Sequence, residues 1–130
     1  MAGYEPSVIP PQHVTFKADG GAVETQVLVS SPVSTPGPNA TVEIIGVIRV
    51  TPGTAATEVN VIVRRNVGTT GSIIGNVYQT VVAGGDYTVP FNFTDIPGDV
   101  AGEFYTLTVV ETSATAPGTV AYATIGGYVF

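Results

Sequence analysis

The sequence predicts an all-β chain, an antiparallel β-sandwich of about eight strands behind an extended N-terminal arm. Three observations predict it. Apolar residues alternate with polar ones at period two in segment after segment, and never recur at helical spacing for more than a turn. Clusters of Pro, Gly, Asn and Asp separate those segments. One segment, Glu103–Glu111, is apolar enough on both sides to need a second surface to bury against. At 130 residues the chain is one domain, long enough for a two-layer core.

Taken in order, residues 1–12 carry Pro6, Pro10 and Pro11. Proline fixes φ and removes a donor, so this stretch is an arm rather than a helix or a central strand. Tyr4, Val8 and Ile9 give the arm apolar anchors by which it docks. The sandwich is expected over residues 13–130. His13–Lys17 reads as a short strand, closed by the turn Asp19-Gly20-Gly21. Ala22–Ser30 puts Val23, Val27 and Val29 on one face, and Pro32–Asn39 makes a long turn. Thr41–Thr51 points Val42, Ile44, Ile48 and Val50 inward, with Gly46 marking a bulge or a close backbone approach. Glu58–Arg65 presents Val59, Val61 and Val63, and Asn66–Gly71 turns the chain. Ser72–Val82 continues after that turn, and Gly84-Gly85-Asp86 leads into the next strand.

Tyr87–Phe93 is the cleanest strand, with Tyr87, Val89, Phe91 and Phe93 on one face and Thr88, Pro90 and Asn92 on the other. An acidic Pro-Gly loop connects it to Glu103–Glu111, where Tyr105, Leu107 and Val109 oppose Phe104, Thr106, Thr108 and Val110. Residues 113–118 are expected to form a hairpin tip, and Thr119–Phe130 a last strand packed into the sheet, with Gly126-Gly127 as a bulge. Strands at this spacing, with long Pro/Gly turns, point to a β-sandwich or jelly roll.

Charge narrows the function. Only 11% of residues are charged, against roughly 25% in an average soluble domain. A chain without a charged coat is expected to bury much of its surface against copies of itself or another protein. The net charge is −6, with Lys17, Arg49, Arg64 and Arg65 the only cations, so there is no basic footprint for nucleic acid. An anionic membrane surface would repel the chain, and no apolar run approaches the roughly 18–20 residues of a spanning helix. Residues 1–12 lack the layout of a signal peptide, which predicts a cytosolic protein or one released by lysis. With no cysteine there is no disulfide framework.

Chemistry is sparse. Nucleophilic catalysis needs a nucleophile, a base and an orienting group within reach of one another. The single His13 adjoins the arm and reads as a strand-edge residue, with no triad partner nearby. Asp95, Asp99 and Glu103 form the only acidic cluster. Such oxygen ligands could hold Ca²⁺, but the spacing is not that of an EF-hand, and turns favour Asp for backbone reasons alone. They are therefore expected to be solvated turn acids. Gly84-Gly85-Asp86 and Gly126-Gly127 are not phosphate loops, since neither a helix nor a lysine follows. Arg64-Arg65 reads as a solvated strand end or as a pair of partners for acids of a neighbouring subunit. Asn39 and Asn92 stand in glycosylation-type triplets, which mean little without an export signal. The expectation is a non-enzymatic chain that holds no cofactor.

The run VNVIVRRNVGTTGSIIGNVYQTV resembles the strand–turn–strand of tumour-necrosis-factor-like and complement-head-like jelly rolls, of the kind found on phage and spore-surface fibres. The stretch YTVPFNFTDIPGDVAGEFYTLTV is similar to their next block, and TIGGYVF to their closing strand. The resemblance covers Val59 to Phe130; the arm and the Pro32–Asn39 turn depart from it. It implies a compact homotrimer with aromatic residues meeting near the three-fold axis, which would bury Tyr105, Tyr122 or Tyr128 between subunits. Further assembly contacts are expected at Tyr4, Val8 and Ile9 of the arm and at the terminal Phe130. The expected role is a phage capsid decoration (cement) protein that trimerises on a virion and contacts a capsid or other lattice protein. The alternatives are a spore- or cell-surface filament subunit joined by arm-strand addition, and a carbohydrate- or receptor-binding module. The last wants exposed aromatics on loops, and residues 32–39, 66–71 and 113–118 hold none.

Overall fold

Period-two alternation becomes a two-layer sandwich when each strand turns its apolar row toward a common interior. The computed structural model describes residues 3–9, 14–16 and 23–130. Nine strands run through these residues: β1 (Gly3–Ile9), β2 (Val14–Phe16), β3 (Thr25–Val29), β4 (Val42–Thr51), β5 (Glu58–Arg65), β6 (Ile73–Thr80), β7 (Tyr87–Asp95), β8 (Tyr105–Thr112) and β9 (Gly118–Val129). His13, Lys17 and the Asp19-Gly20-Gly21 turn lie outside the described residues.

One sheet runs β1-β9-β4-β7, with β2 also paired to β9; the other runs β3-β8-β5-β6. β1 and β2 lie against successive parts of β9, Ala123–Val129 and Gly118–Val120, so the larger sheet is four rows wide. Every pairing is antiparallel. From β2 to β9, each consecutive pair of strands sits in opposite sheets except β5 and β6. That wrapping is a jelly roll.

The segment expected to be an arm is thus the edge strand β1, laid on β9 of its own chain with Tyr4 opposite Tyr128 and Ile9 opposite Ala123. Residues 113–118 are not a hairpin tip. β8 and β9 belong to different sheets, and this segment carries the chain across the end of the sandwich. Gly126-Gly127 is not a bulge either, since both residues pair regularly with Ile45 and Ile44. The irregularity on β9 lies instead where Arg49 and Val50 meet Tyr122 and Val120.

Alternation placed the core correctly. Val42, Ile44, Ile48 and Val50 of β4, Val59, Val61 and Val63 of β5, and Leu107 and Val109 of β8 are all fully buried. Each such side chain contributes on the order of 1.5–3 kcal/mol by leaving water. Gly46 shares the inward row of β4 because the ring of Phe91 occupies its place. A Cβ there would stand 2.4 Å from Phe91 Cζ and 2.1 Å from the Thr124 carbonyl oxygen. Pro90 sits on β7, an edge strand, where the missing donor disrupts no interior ladder. The Pro32–Asn39 segment also joins the fold, with Val33 buried and bridged to Glu103 through both backbone groups.

Candidate assembly surface

Polar groups plug both ends of the sandwich, and alternation puts them there. Arg65 extends the inward row of β5, Asp95 that of β7, and Tyr105 opens that of β8. The three meet. Arg65 donates to Asp95 through Nε (3.0 Å) and through its Nη2 (2.5 Å), and Tyr105 Oη donates to Asp95 Oδ2 at 2.8 Å. Burial, together with the Asp95 carboxylate, pushes the Tyr105 phenol far above its ordinary range. Hydrogen bonding to Asp95, opposed by burial, raises Arg65.

These contacts correct two expectations. Asp95 is not a solvated turn acid but a buried, ion-paired one. Tyr105 has no exposed surface, so it packs inside its own sandwich and not between subunits. Asp99 is exposed and Glu103 half-buried, and among the described residues no three acids or histidines come together to hold a metal.

At the opposite end Glu111 prolongs the inward row Tyr105–Leu107–Val109 and is buried. Its two oxygens accept from the backbone N–H groups of Gly53 (2.6 Å) and Gly118 (3.0 Å). Burial raises its pKa; the two amides oppose that without cancelling it. The signal that would have found Glu111 is the parity of its strand, continued two residues past Val109.

The outer faces differ in kind. On the four-stranded sheet, Thr106 and Thr108 point outward yet are fully buried, and Ile62 is 4% exposed. Their cover is the chain itself. Arg64 donates to both oxygens of Glu24 (2.7 and 2.8 Å) and to the Gly71 carbonyl (2.6 Å). Thr108 Oγ1 also donates to Glu24, and Thr106 Oγ1 to the Asn66 carbonyl. Burial opposes ionisation of Glu24, but the Arg64 and Thr108 hydrogen bonds win and hold its pKa below the usual value. Arg64 and Arg65 are therefore neither solvated nor reserved for a neighbouring subunit. The second apolar face of β8 finds its partner within the chain.

The five-stranded sheet leaves its outer face open. Register aligns Tyr128, Glu43 and Thr94 in one row, then Gly126, Ile45 and Asn92, then Thr124, Val47 and Pro90, then Tyr122, Arg49 and Thr88. Ile45 and Tyr122 are exposed. A shallow depression of about 380 Å³ is lined by Val47, Arg49, Thr88, Ala121 and Tyr122. Among the described residues of these rows, charge stands only on β4, in the first row and the last. Glu43 accepts from Thr94 Oγ1 at 2.6 Å, and Arg49 reaches Asp86 at 3.3 Å. Thr51 and then Arg49 hold the Asp86 carboxyl below its usual pKa.

Of the residues expected at an assembly interface, Tyr122 and Tyr128 lie on this open face. Tyr128 is half-buried and stacked on the exposed Phe130, ring centroids 5.6 Å apart. Val8 is exposed on β1, at the register position opposite Thr124. Tyr4 and Ile9 take positions opposite Tyr128 and Ala123. Tyr105 lies inside the sandwich, and Ile9 stands at a register position of the inward row, opposite the buried Ala123.

No protein-family model and no curated sequence matches the chain. The fold, however, has been seen in solved structures: the jelly roll is similar to part of the chains in infectious bursal disease virus particles. The infectious bursal disease virus VP2 subviral particle matches with a TM-score of 0.63 and 10% identity, covering 97% of this chain and 33% of that one. The Gx strain of the same virus gives 0.62 and 11%, covering 95% and 32%. T=1 particles derived from that virus give 0.64 and 9%, covering 97% and 32%. The chain spans about a third of the length of the chains it matches. At such identities the likeness is one of fold. The narrower tumour-necrosis-factor-like resemblance has no counterpart among these matches.

Proposed function

We propose that the chain is a structural protein of a virion surface, a jelly roll that assembles with copies of itself and with a lattice protein. In its finest form the reading is a phage capsid decoration protein that trimerises on the particle and ties neighbouring capsomers together. The observation that carries it is the open outer face of the five-stranded sheet, charged among its described rows only at Glu43 and Arg49 of β4, on a jelly roll similar to that of VP2 particles. The low overall charge supports the same reading. A filament built by donating β1 receives less support, because β1 already has a full partner in β9 of its own chain.

Sedimentation velocity of the purified chain over a hundredfold concentration range tests the assembly. A species of three times the chain mass is expected, followed by its retention on undecorated capsids. A ladder growing with concentration would replace the trimer with the filament. A monomer throughout would sink both.

A further inference from the structure

The open face of the five-stranded sheet places its two charges evenly about one centre. Centre it on Gly46, which pairs with Phe91 on β7 and Ile125 on β9. One residue to either side on β4 stand Ile45 and Val47; three residues to either side stand Glu43 and Arg49. β9 repeats the plan with Gly126 and Thr124, then Tyr128 and Tyr122. β7 does so with Asn92 and Pro90, then Thr94 and Thr88. Ile45 matches Val47, Tyr128 matches Tyr122 and Thr94 matches Thr88, while Gly126 answers to Thr124 and Asn92 to Pro90. The charges are opposite.

We propose that this face binds the same face of a second copy, in an isologous pair whose two-fold axis lies between the sheets, crosses the strands and passes over Gly46. That rotation lays Ile45 on the second copy's Val47 and a tyrosine of β9 on the other tyrosine. It also lays Glu43 on Arg49, twice per pair. An axis along the strands would instead stack Glu43 on Glu43 and Arg49 on Arg49, which like-charge repulsion forbids. Charge complementarity therefore selects both the occupant and its orientation.

The existing partners of these two charges do not block the contact. Arg49 and Asp86 leave more than half of each side chain in water, and such a pair holds its members loosely. Size sets the strength. Four strands about 4.8 Å apart and nine residues rising about 3.4 Å each give a face on the order of 600 Å². A standard interface buries about 800 Å² per partner, so the pair is expected to be micromolar and to act together with other contacts of an assembly.

The contact goes beyond the virion reading and appears as a doubling, at high concentration, of the chain or of its trimer; it is tested separately by charge exchange on the full chain followed by sedimentation velocity. Arg49→Glu and Glu43→Arg each set two like-charge contacts in the pair and are expected to weaken this association step at least tenfold. The double variant carrying both restores the pairing and is expected to return to within about threefold of the natural protein. Both side chains lie outside the core, and a thermal melt of each variant checks that it folds. Three results would overturn the proposal: no association up to about millimolar concentration, single variants that associate unchanged, or a double variant no stronger than the singles. A trimer whose mass is indifferent to these charges would remove the face-to-face pair and leave the virion reading standing.

Discussion

The two sheets of this sandwich present their backs to the outside in opposite ways. The four-stranded sheet closes the β3-β8-β5 part of its back on itself: Glu24 reaches across Thr108 to Arg64, Arg64 caps the Gly71 carbonyl, and Ile62 is shut in, while Tyr78 on the edge strand β6 stays exposed. The five-stranded sheet leaves Ile45 and Tyr122 uncovered and confines charge to Glu43 and Arg49. Saturated polar groups mark a finished surface, because each donor and acceptor already has its partner. The five-stranded back is half apolar and carries looser, more exposed polar contacts, so a partner covers it at a smaller desolvation cost. The proposed assembly uses the five-stranded back, where Ile45 and Tyr122 stand exposed on neighbouring interior strands.

The strongest way to break the contrast is Arg64→Ala. It removes three hydrogen bonds and leaves the Glu24 carboxylate part-buried without its cation. Deleting one member of a fully buried pair costs about 3–5 kcal/mol, and the residual exposure of this pair lowers the expectation to about 2 kcal/mol. Urea unfolding reads it, and a loss below about 0.5 kcal/mol would show that the back of this sheet is not closed by the ion pair.

Acid titration sharpens the comparison. The Glu24 pKa is lower folded than unfolded, so its stabilisation is complete above the unfolded value and vanishes as pH falls through the folded one. Glu111 has the opposite sign: its raised pKa makes its contribution best at low pH, with stability lost as pH rises from the ordinary carboxylate value through the raised one. Glu24→Gln should therefore flatten the acid limb of stability against pH relative to the natural chain. An unchanged acid limb would mean that the Glu24 network is not formed in solution.

The smallest effect belongs to the open back. Ile45→Ser is expected to change stability by no more than about 0.5 kcal/mol, as for an ordinary surface position. The same variant should weaken self-association. A large loss of stability would place Ile45 in a core that the isolated chain already completes.

Much of the fold was legible because strand parity is a local property. The inward rows of β4, β5 and β7 follow from spacing alone, and so does the need to cover both faces of β8. The same parity, carried two residues further, would have turned Asp95 and Glu111 inward, where they were otherwise read as turn acids or passed over. What parity cannot reveal is which residue meets which across the chain. That Glu24 would cover Thr108, 84 residues away, depends on β3 pairing with β8. The crossing between sheets at residues 113–118 is equally hidden, since a hairpin and a crossover use the same turn residues.

By itself, then, the sequence determined an all-β chain, its strands, its apolar rows and its scarcity of charge, all of which are written in neighbouring residues. Only the tertiary structure decided that the terminal arm is an edge strand, that Tyr105 is interior, and that Glu24 and Arg64 cover the outer threonines of β8 while Ile45 and Tyr122 stay exposed. Those outcomes depend on pairings between residues far apart in the chain, whose energy exists only once both sheets are assembled.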